Sequence, residues 1–303
     1  MERRAIAQAE QINGIAPEQY RSRKHKSAID QALHKRLTYD IIRQFKRPGF
    51  LCSNDAQSCY DRVIHSIAAL AYKRIGIEQP PLDCMLLGIQ DMKHHIKTSF
   101  GLSKLTLNKQ NSEIPFQGIL QGNGASSTTW VLISIPLLNM LRAKGHGAKC
   151  VSSISQELTH VVGFAFVDDS DLITFDMFEE EKSWDELQDC MQEAINRWEG
   201  GLKTTGGALV PSKSWIYPIS FKFDSKGEAT YKSLEEMDTN FTVLNKDGNI
   251  ESLTCVESHK GRETLGVFLC PDDNNKEAVH ALAEKAKRWR DNIHSGHLQP
   301  GLA

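Results

Sequence analysis

Two carboxylates stand side by side between two apolar runs: Val161-Val162-Gly163-Phe164-Ala165 leads into Phe166-Val167-Asp168-Asp169, and Leu172-Ile173 follows. Short apolar runs either side of a polar step read as paired strands, with the carboxylates at the turn. Two unit charges about 4 Å apart repel by roughly 4 kcal/mol at an effective dielectric of 20. An acidic tip of this kind is either a solvated turn or part of a site for a hard divalent ion such as Mg²⁺. Such an ion takes carboxylate oxygens and leaves positions open for phosphates.

With 303 residues, 40% of them hydrophobic, the chain can bury the core of one large domain or two ordinary ones. The net charge of -2 gives no global sign of a polyanion partner, so a nucleic-acid surface requires local segregation of charge. Seven scattered cysteines (Cys52, Cys59, Cys84, Cys150, Cys190, Cys255, Cys270), odd in number and never in C-x-x-C spacing, read as reduced thiols of an intracellular protein. His94-His95 lies near Cys84, but adjacent histidines on a helix point in different directions and do not pair as metal ligands. Met1-Glu2-Arg3-Arg4 opens no apolar signal core, so the expected location is the cytoplasm or nucleus. The apolar stretch over residues 130–141 is broken by Ser134, Pro136 and Asn139. It is far short of the roughly 20 residues that cross a bilayer and reads as a buried helix, so no membrane partner is expected.

Over residues 27–45, Ile29, Leu33, Leu37, Ile41 and Ile42 recur mostly at four-residue steps, predicting an amphipathic helix whose polar face carries Lys35, Arg36 and Arg43. The strongest basic cluster, Arg21-Ser22-Arg23-Lys24-His25-Lys26, precedes it. Arg47-Pro48-Gly49 stops the helix, and Phe50-Leu51-Cys52 reads as a buried strand ending at Asn54-Asp55. Helices are expected over residues 63–75, 82–96 and 127–143, the last stopped by Gly145-His146-Gly147. Another, over 184–198 with Leu187, Met191, Ile195 and Trp198 on one face, is ended by Gly200-Gly201. Residues 98–124 read as a hairpin or loop, short strands follow from 215 to 269, and a last helix occupies 276–293. Strands and helices mix without regular alternation, which favours an α+β fold.

Three carboxylates therefore fall at predicted strand ends: Asp55, Asp168 and Asp169. Two-metal phosphoryl transfer needs carboxylates from separate strands around ions roughly 3.5–4 Å apart. Between them, residues 117–126 (QGILQGNGAS) form a glycine-rich turn before a helix, suited to close approach of a phosphate-bearing ligand.

In this order the segments resemble the palm motifs of reverse transcriptases, especially those of non-LTR retrotransposons and group II introns. Asn54-Asp55-Ala56 with Cys59-Tyr60-Asp61-Arg62-Val63 is similar to the first motif, and Leu120-Gln121-Gly122 through Ser126 to the second, the Q-G-x-x-x-S turn. Phe166-Val167-Asp168-Asp169 matches the [FY]-x-D-D third motif. Gly201-Leu202 with Pro211-Ser212-Lys213-Ser214 resembles the fourth, and Thr264-Leu265-Gly266-Val267 the primer-gripping fifth. The resemblance covers about residues 19–270, where Gln19-Tyr20-Arg21-Ser22-Arg23 is similar to the Q-Y-G-x-R segment with Arg21 in place of Gly. Ser126-Ser127 replaces the family's Ser-Pro.

The resemblance implies a right-hand polymerase palm, an antiparallel sheet backed by helices. Residues 1–50 would be partial fingers, 51–270 the palm with an embedded fingers insertion, and 271–303 the start of a thumb. It implies an RNA-directed DNA polymerase of a retroelement, a fragment or decayed copy, taking an RNA template, a DNA primer and deoxynucleoside triphosphates, with no protein partner. Asp55, Asp168 and Asp169 would hold two Mg²⁺ ions, with Mn²⁺ as the substitute. Lys213 would protonate pyrophosphate as general acid. Tyr60 would crowd the sugar 2′-position and favour deoxynucleotides, where RNA-directed RNA polymerases tend to carry Asp. Gln121, Gly122, Arg21, Arg23 and Lys24 would contact the nucleotide, and Leu265 with Gly266 would grip the primer.

Each residue also has a plainer reading. Tyr60 packs at a strand-to-helix junction, Gln121 caps a helix, and Lys213 and the residue 21–26 run are solvated. The alternative for the whole chain is an inactive retroelement remnant that at most binds nucleic acid.

Overall fold

The computed structural model describes residues 2–108, 117–120, 122–175, 182–245 and 247–296. Its helices are α1 (Glu2–Gln11), α2 (Ala28–Phe45), α3 (Cys59–Arg62), α4 (His65–Arg74), α5 (Gln79–Gln90), α6 (Ser126–Ala143), α7 (Trp184–Thr204) and α8 (Lys276–His294). A seven-stranded sheet takes β1 (Gly49–Asn54), β4 (Ala148–Val151), β5 (Leu158–Val161), β6 (Gly163–Phe166), β7 (Asp169–Phe175), β8 (Trp215–Ile219) and β13 (Thr254–Cys255). Four two-stranded ribbons complete the set: β2 (His94–Thr98) with β3 (Gly101–Leu107), β9 (Phe221–Phe223) with β10 (Ala229–Tyr231), β11 (Thr242–Leu244) with β12 (Ile250–Ser252), and β14 (Arg262–Thr264) with β15 (Val267–Leu269).

The sheet runs β13-β8-β1-β7-β4-β5, with β6 also paired to β7. Most of its pairs are antiparallel; β4–β7 and β8–β13 are parallel. Mixed pairing with helices on both faces agrees with the α+β expectation. Both faces are covered, which is why β1 and β7 read as near-continuous apolar runs. Phe50, Cys52 and Leu172 point into a core shared with α1, α4, α6 and α7. Leu51 and Ile173 point the other way, against Tyr39 and Ile42 of α2 and Tyr217 of β8. A fully buried Phe such as Phe50 contributes about 1.5–3 kcal/mol by leaving water, so Phe50→Ala would cost about 3–5 kcal/mol once the cavity is included.

Helix α2 starts with a capping box, Ser27 accepting from the Asp30 N–H while the Asp30 carboxylate accepts from the Ser27 N–H, and ends at Lys46 in the left-handed region. Its extent matches the periodicity, but its orientation corrects it. Ile29, Leu33 and Leu37 lie outside, 76%, 50% and 46% exposed, while the buried side carries Gln31, Ala32, Lys35, Tyr39 and Ile42. The buried Lys35 has a carboxylate partner on the sheet, and an ion pair overrides the hydrophobic pattern there.

Two further boundaries differ. Helix α5 ends at Gln90, so His94-His95 lies on strand β2 and not on a helix. Helix α7 runs through Gly200-Gly201 to Thr204, because Gly201 packs so closely on α6 that a Cβ there would sit 2.6 Å from a Leu137 methyl. The seven cysteines are all free. No helix among the described residues is long and apolar enough to cross a membrane.

Candidate active site

Strands β1 and β7 are antiparallel neighbours with Asn54 opposite Ser170, so continuing the ladder by one step sets Asp55 beside Asp169. On the other edge of β1, Ser53 lies opposite Trp215, and the same continuation sets Asp55 beside Lys213. Lys213 Nζ is 3.8 Å from Asp55 Oδ2. The Asp55 backbone is fixed from that side: its N–H donates to Ser214 Oγ at 3.1 Å and its carbonyl accepts from the Val210 N–H at 3.0 Å. Lys213 closes a short 3₁₀ turn, Pro211–Lys213.

Asp168 lies in the two-residue β6–β7 turn and Asp169 opens β7, the first half-buried and the second exposed. The turn is tight because Val167 sits at φ +62°, a left-handed conformation that strains a β-branched residue by about 1–3 kcal/mol. It is clamped at both ends. The Val167 N–H donates to Gln19 Oε1 at 3.1 Å, and its carbonyl accepts from Trp130 Nε1 at 2.6 Å. Gln19, wholly buried, donates in turn to Ser134 Oγ at 3.1 Å. The chain on either side of it bonds Ala165: the Ala165 N–H donates to Glu18 and the Tyr20 N–H donates to the Ala165 carbonyl. The Gln19-Tyr20 segment thus lies against the acidic hairpin. The clamping roles of Gln19 and Trp130 carried no signal in the sequence beyond Gln19's place in the Gln-Tyr pair.

Charge crowds this end of the sheet. The Asp169 carboxyl is pushed up to about 6, first by its packed surroundings and then by Asp168, Asp171 and Asp55, with Lys35 opposing. Burial, followed by the Asp168 charge, raises the Tyr60 hydroxyl, and Arg21 opposes the rise. Burial and Asp168 also raise the Cys59 thiol, which hydrogen-bonds the Asp168 carboxylate. Asp168, Tyr60 and Cys59 are therefore mutual neighbours.

The glycine-rich turn docks on the same corner. The Ile119 N–H donates to the Tyr60 carbonyl at 2.7 Å, and the Gly118 N–H donates to the Val63 carbonyl at 2.8 Å. Gly118 has φ +86° and lies so close to α3 that a Cβ would meet the Asp61 backbone at 2.7 Å. Ser126 Oγ binds the Ile119 and Leu120 carbonyls, both at 2.6 Å, which ties the turn to the start of α6. Gly122 has φ +90° with open space where a side chain would stand. Gln121 lies outside the described residues.

The basic segment divides. Arg21 is exposed and lies over the Phe166 ring at 5.4 Å, and Lys24 is exposed. Arg23 is engaged within the fold: its guanidinium donates to Glu10 at 2.7 and 3.1 Å and to the Ala16 and Gln19 carbonyls. Leu265 and Gly266 form the two-residue tip of the β14–β15 hairpin, with φ +50° and +88° as a type I′ turn requires. The preceding Thr264 receives a 3.0 Å hydrogen bond from Lys35 Nζ, which also donates to Asp171 Oδ2 at 2.9 Å. Lys35 has no precedent in the sequence pattern, which placed it on a solvated face.

Crowded carboxylates offer the oxygen donors that a hard divalent cation takes. Among the described residues, however, no group of three or more His, Cys, Asp or Glu side chains converges as a ligand set. Strand register brings Asp55 beside Asp169, and the Asp55 charge adds to the rise of the Asp169 carboxyl.

No family model matches the chain, and no curated protein matches it. Among solved structures it is similar to telomerase from Candida albicans in complex with a fragment of telomeric RNA, at 13% identity and a TM-score of 0.41 over 83% of this chain and 37% of that one. It is also similar to apo telomerase from Candida tropicalis truncated from its C-terminal domain, at 15% identity and a TM-score of 0.35 over 74% of this chain and 40% of that one. The RNA-bound Candida tropicalis telomerase gives 12% identity and a TM-score of 0.41 over 73% of this chain and 33% of that one. The chain thus spans well under half the length of the telomerase chains it matches.

Proposed function

We propose that this chain is the palm-containing part of an RNA-directed DNA polymerase, extending a primer 3′-end on an RNA template with deoxynucleoside triphosphates. The observation that carries this reading is the register that sets Asp55, at the end of β1, between the acidic turn of β7 and Lys213 before β8. Bound there, two Mg²⁺ ions would lower the charge on the transferring phosphoryl group and favour ionisation of the primer hydroxyl. Asp55 and Asp168 would hold the ions, with Asp169 assisting. Lys213 would give a proton to the departing pyrophosphate from its place beside Asp55. Tyr60, beside Asp168, would exclude a 2′-hydroxyl, and the turn at Gly122 would admit the nucleotide without a side chain in the way. Exposed Arg21 and Lys24 remain for the triphosphate, and the Leu265-Gly266 tip for the primer.

The test is primer extension on a primed RNA template with Mg²⁺ and deoxynucleotides. The parent chain is expected to extend and Asp168→Ala to lose at least about 10³-fold in rate, the scale of losing a catalytic electrostatic group. Equal extension by Asp168→Ala removes catalysis from this hairpin. The unconverged carboxylates favour a second reading, a chain that binds nucleic acid without copying it. Mg²⁺-dependent extension by the parent excludes it.

A further inference from the structure

Outside the candidate site, the β2–β3 hairpin exposes apolar side chains that its own fold does not cover. Two strands alone are marginal in water and ordinarily need a packed face. Here Ile96, Leu102 and Leu105 are exposed, and Phe100, in the turn between the strands, is wholly exposed. Turn positions favour Gly, Asn, Asp or Ser, for which the chain has local reasons; a phenyl ring there has none. The backbone at that point is nonetheless organised, since the Phe100 N–H donates to Thr98 Oγ1 at 3.2 Å. The ring is therefore presented by a built turn.

The charge of the hairpin points to what it meets. Residues 92–108 contain three lysines, two histidines and no carboxylate, in a chain whose net charge is -2. Lys93, Lys97 and Lys104 are all exposed, and none pairs with a carboxylate among the described residues. This is the local segregation of charge that a polyanion surface requires. An apolar protein partner would account for Ile96 and Leu105 but would leave the lysines without an opposite charge. Single-stranded nucleic acid accounts for both, because phosphates meet the lysines while unpaired bases offer flat apolar faces to an aromatic ring.

We propose that the β2–β3 hairpin is an arm that binds single-stranded nucleic acid, with Lys97 and Lys104 on phosphates and Phe100 stacked on a base. The proposal names a contact surface for the template strand of the polymerase reading and rests on that reading for its context.

The experiment measures fluorescence anisotropy of a labelled single-stranded RNA of ~20 nucleotides with the purified full chain between roughly 50 and 200 mM salt. Lys97→Gln/Lys104→Gln is expected to flatten the slope of log affinity against log salt by about 1.4, at roughly 0.7 per single-strand phosphate contact. Phe100→Ala is expected to weaken binding about tenfold with the salt slope unchanged. Unaltered affinity and slope in both variants would overturn the arm. So would an unchanged salt slope in the lysine double variant, since Lys97 and Lys104 would then meet no phosphates. Primer extension run on the same preparations keeps the two ideas apart. Extension by the parent with binding indifferent to the hairpin variants sinks the arm alone, whereas the expected hairpin effects in a chain that never extends a primer sink the polymerase reading alone.

Discussion

Lys35 Nζ lies 2.9 Å from Asp171 Oδ2, with side chains only 1% and 6% exposed, and the pair joins α2 to β7. Asp171 is two residues beyond Asp169 on β7 and so projects on the same face of the sheet. Lys35 also holds Thr264, next to the Leu265-Gly266 tip. One buried cation thereby ties α2 and the β14–β15 hairpin to the strand that carries the acidic turn.

Removing only the lysine leaves a buried carboxylate without its partner. Lys35→Met is expected to cost about 3–5 kcal/mol, and Lys35→Met/Asp171→Leu to regain most of it, because an apolar pair of similar volume removes the stranded charge. Urea denaturation curves of the parent, both single variants and the double complete the cycle. A double variant no more stable than Lys35→Met would contradict the coupling.

Asp169 fixes a pH dependence. Its folded-state value is raised from 3.8 to about 6, so the folded chain holds this proton more tightly than the unfolded chain does. Between about pH 4 and 6 its contribution to stability falls as pH rises, and above that window ionised Asp169 destabilises the fold. Asp169→Asn is therefore expected to be more stable than the parent at pH 7, with the gap closing below about pH 4. Because the residue is exposed, solvent screening reduces the difference to about 1 kcal/mol. Thermal melts across that range, without divalent ions, test it; a gap that widens toward acid pH would refute the assignment.

The Val167 clamp can be opened from either end. Gln19→Leu leaves the Val167 N–H unpaired, and Trp130→Phe leaves its carbonyl unpaired, each at about 1–3 kcal/mol. Each is expected to lower the melting temperature by several degrees. Melting temperatures equal to the parent's would mean that the strained turn stands without its clamp.

In the proposed polymerase, Tyr60 would set sugar choice. Tyr60→Ala is expected to raise ribonucleotide incorporation relative to deoxynucleotide by an order of magnitude or more, about 1.4 kcal/mol of discrimination per factor of ten. Competition assays with matched triphosphates measure it. Unchanged selectivity would return Tyr60 to a packing role at the start of α3.

Much of this corner was legible in advance because its elements are defined by local pattern. Phe50-Leu51-Cys52 ending at Asp55, the paired strands around Asp168-Asp169 and the helix after the glycine-rich turn all follow from runs of apolar residues and their punctuation. Failures occurred where partners distant in sequence decided the outcome. The stripe of Ile29, Leu33 and Leu37 reads as a core face, yet α2 turns that stripe outward because Asp171, 136 residues beyond Lys35, captures the lysine. Gly200-Gly201 reads as a helix end, yet α6 offers Leu137 against Gly201 and the helix continues.

Taken alone, the sequence determined which residues lie at strand ends and turns, since apolar periodicity, capping side chains and turn chemistry act between near neighbours. Only the tertiary structure decided that Asp55 stands between Asp169 and Lys213, that Gln19 and Trp130 hold Val167 in its strained turn, and which face of α2 is buried. Strand register, hydrogen bonds across the fold and ion pairing form only when distant segments meet, and they outweigh local preference wherever a buried charge or backbone group would otherwise go unpaired.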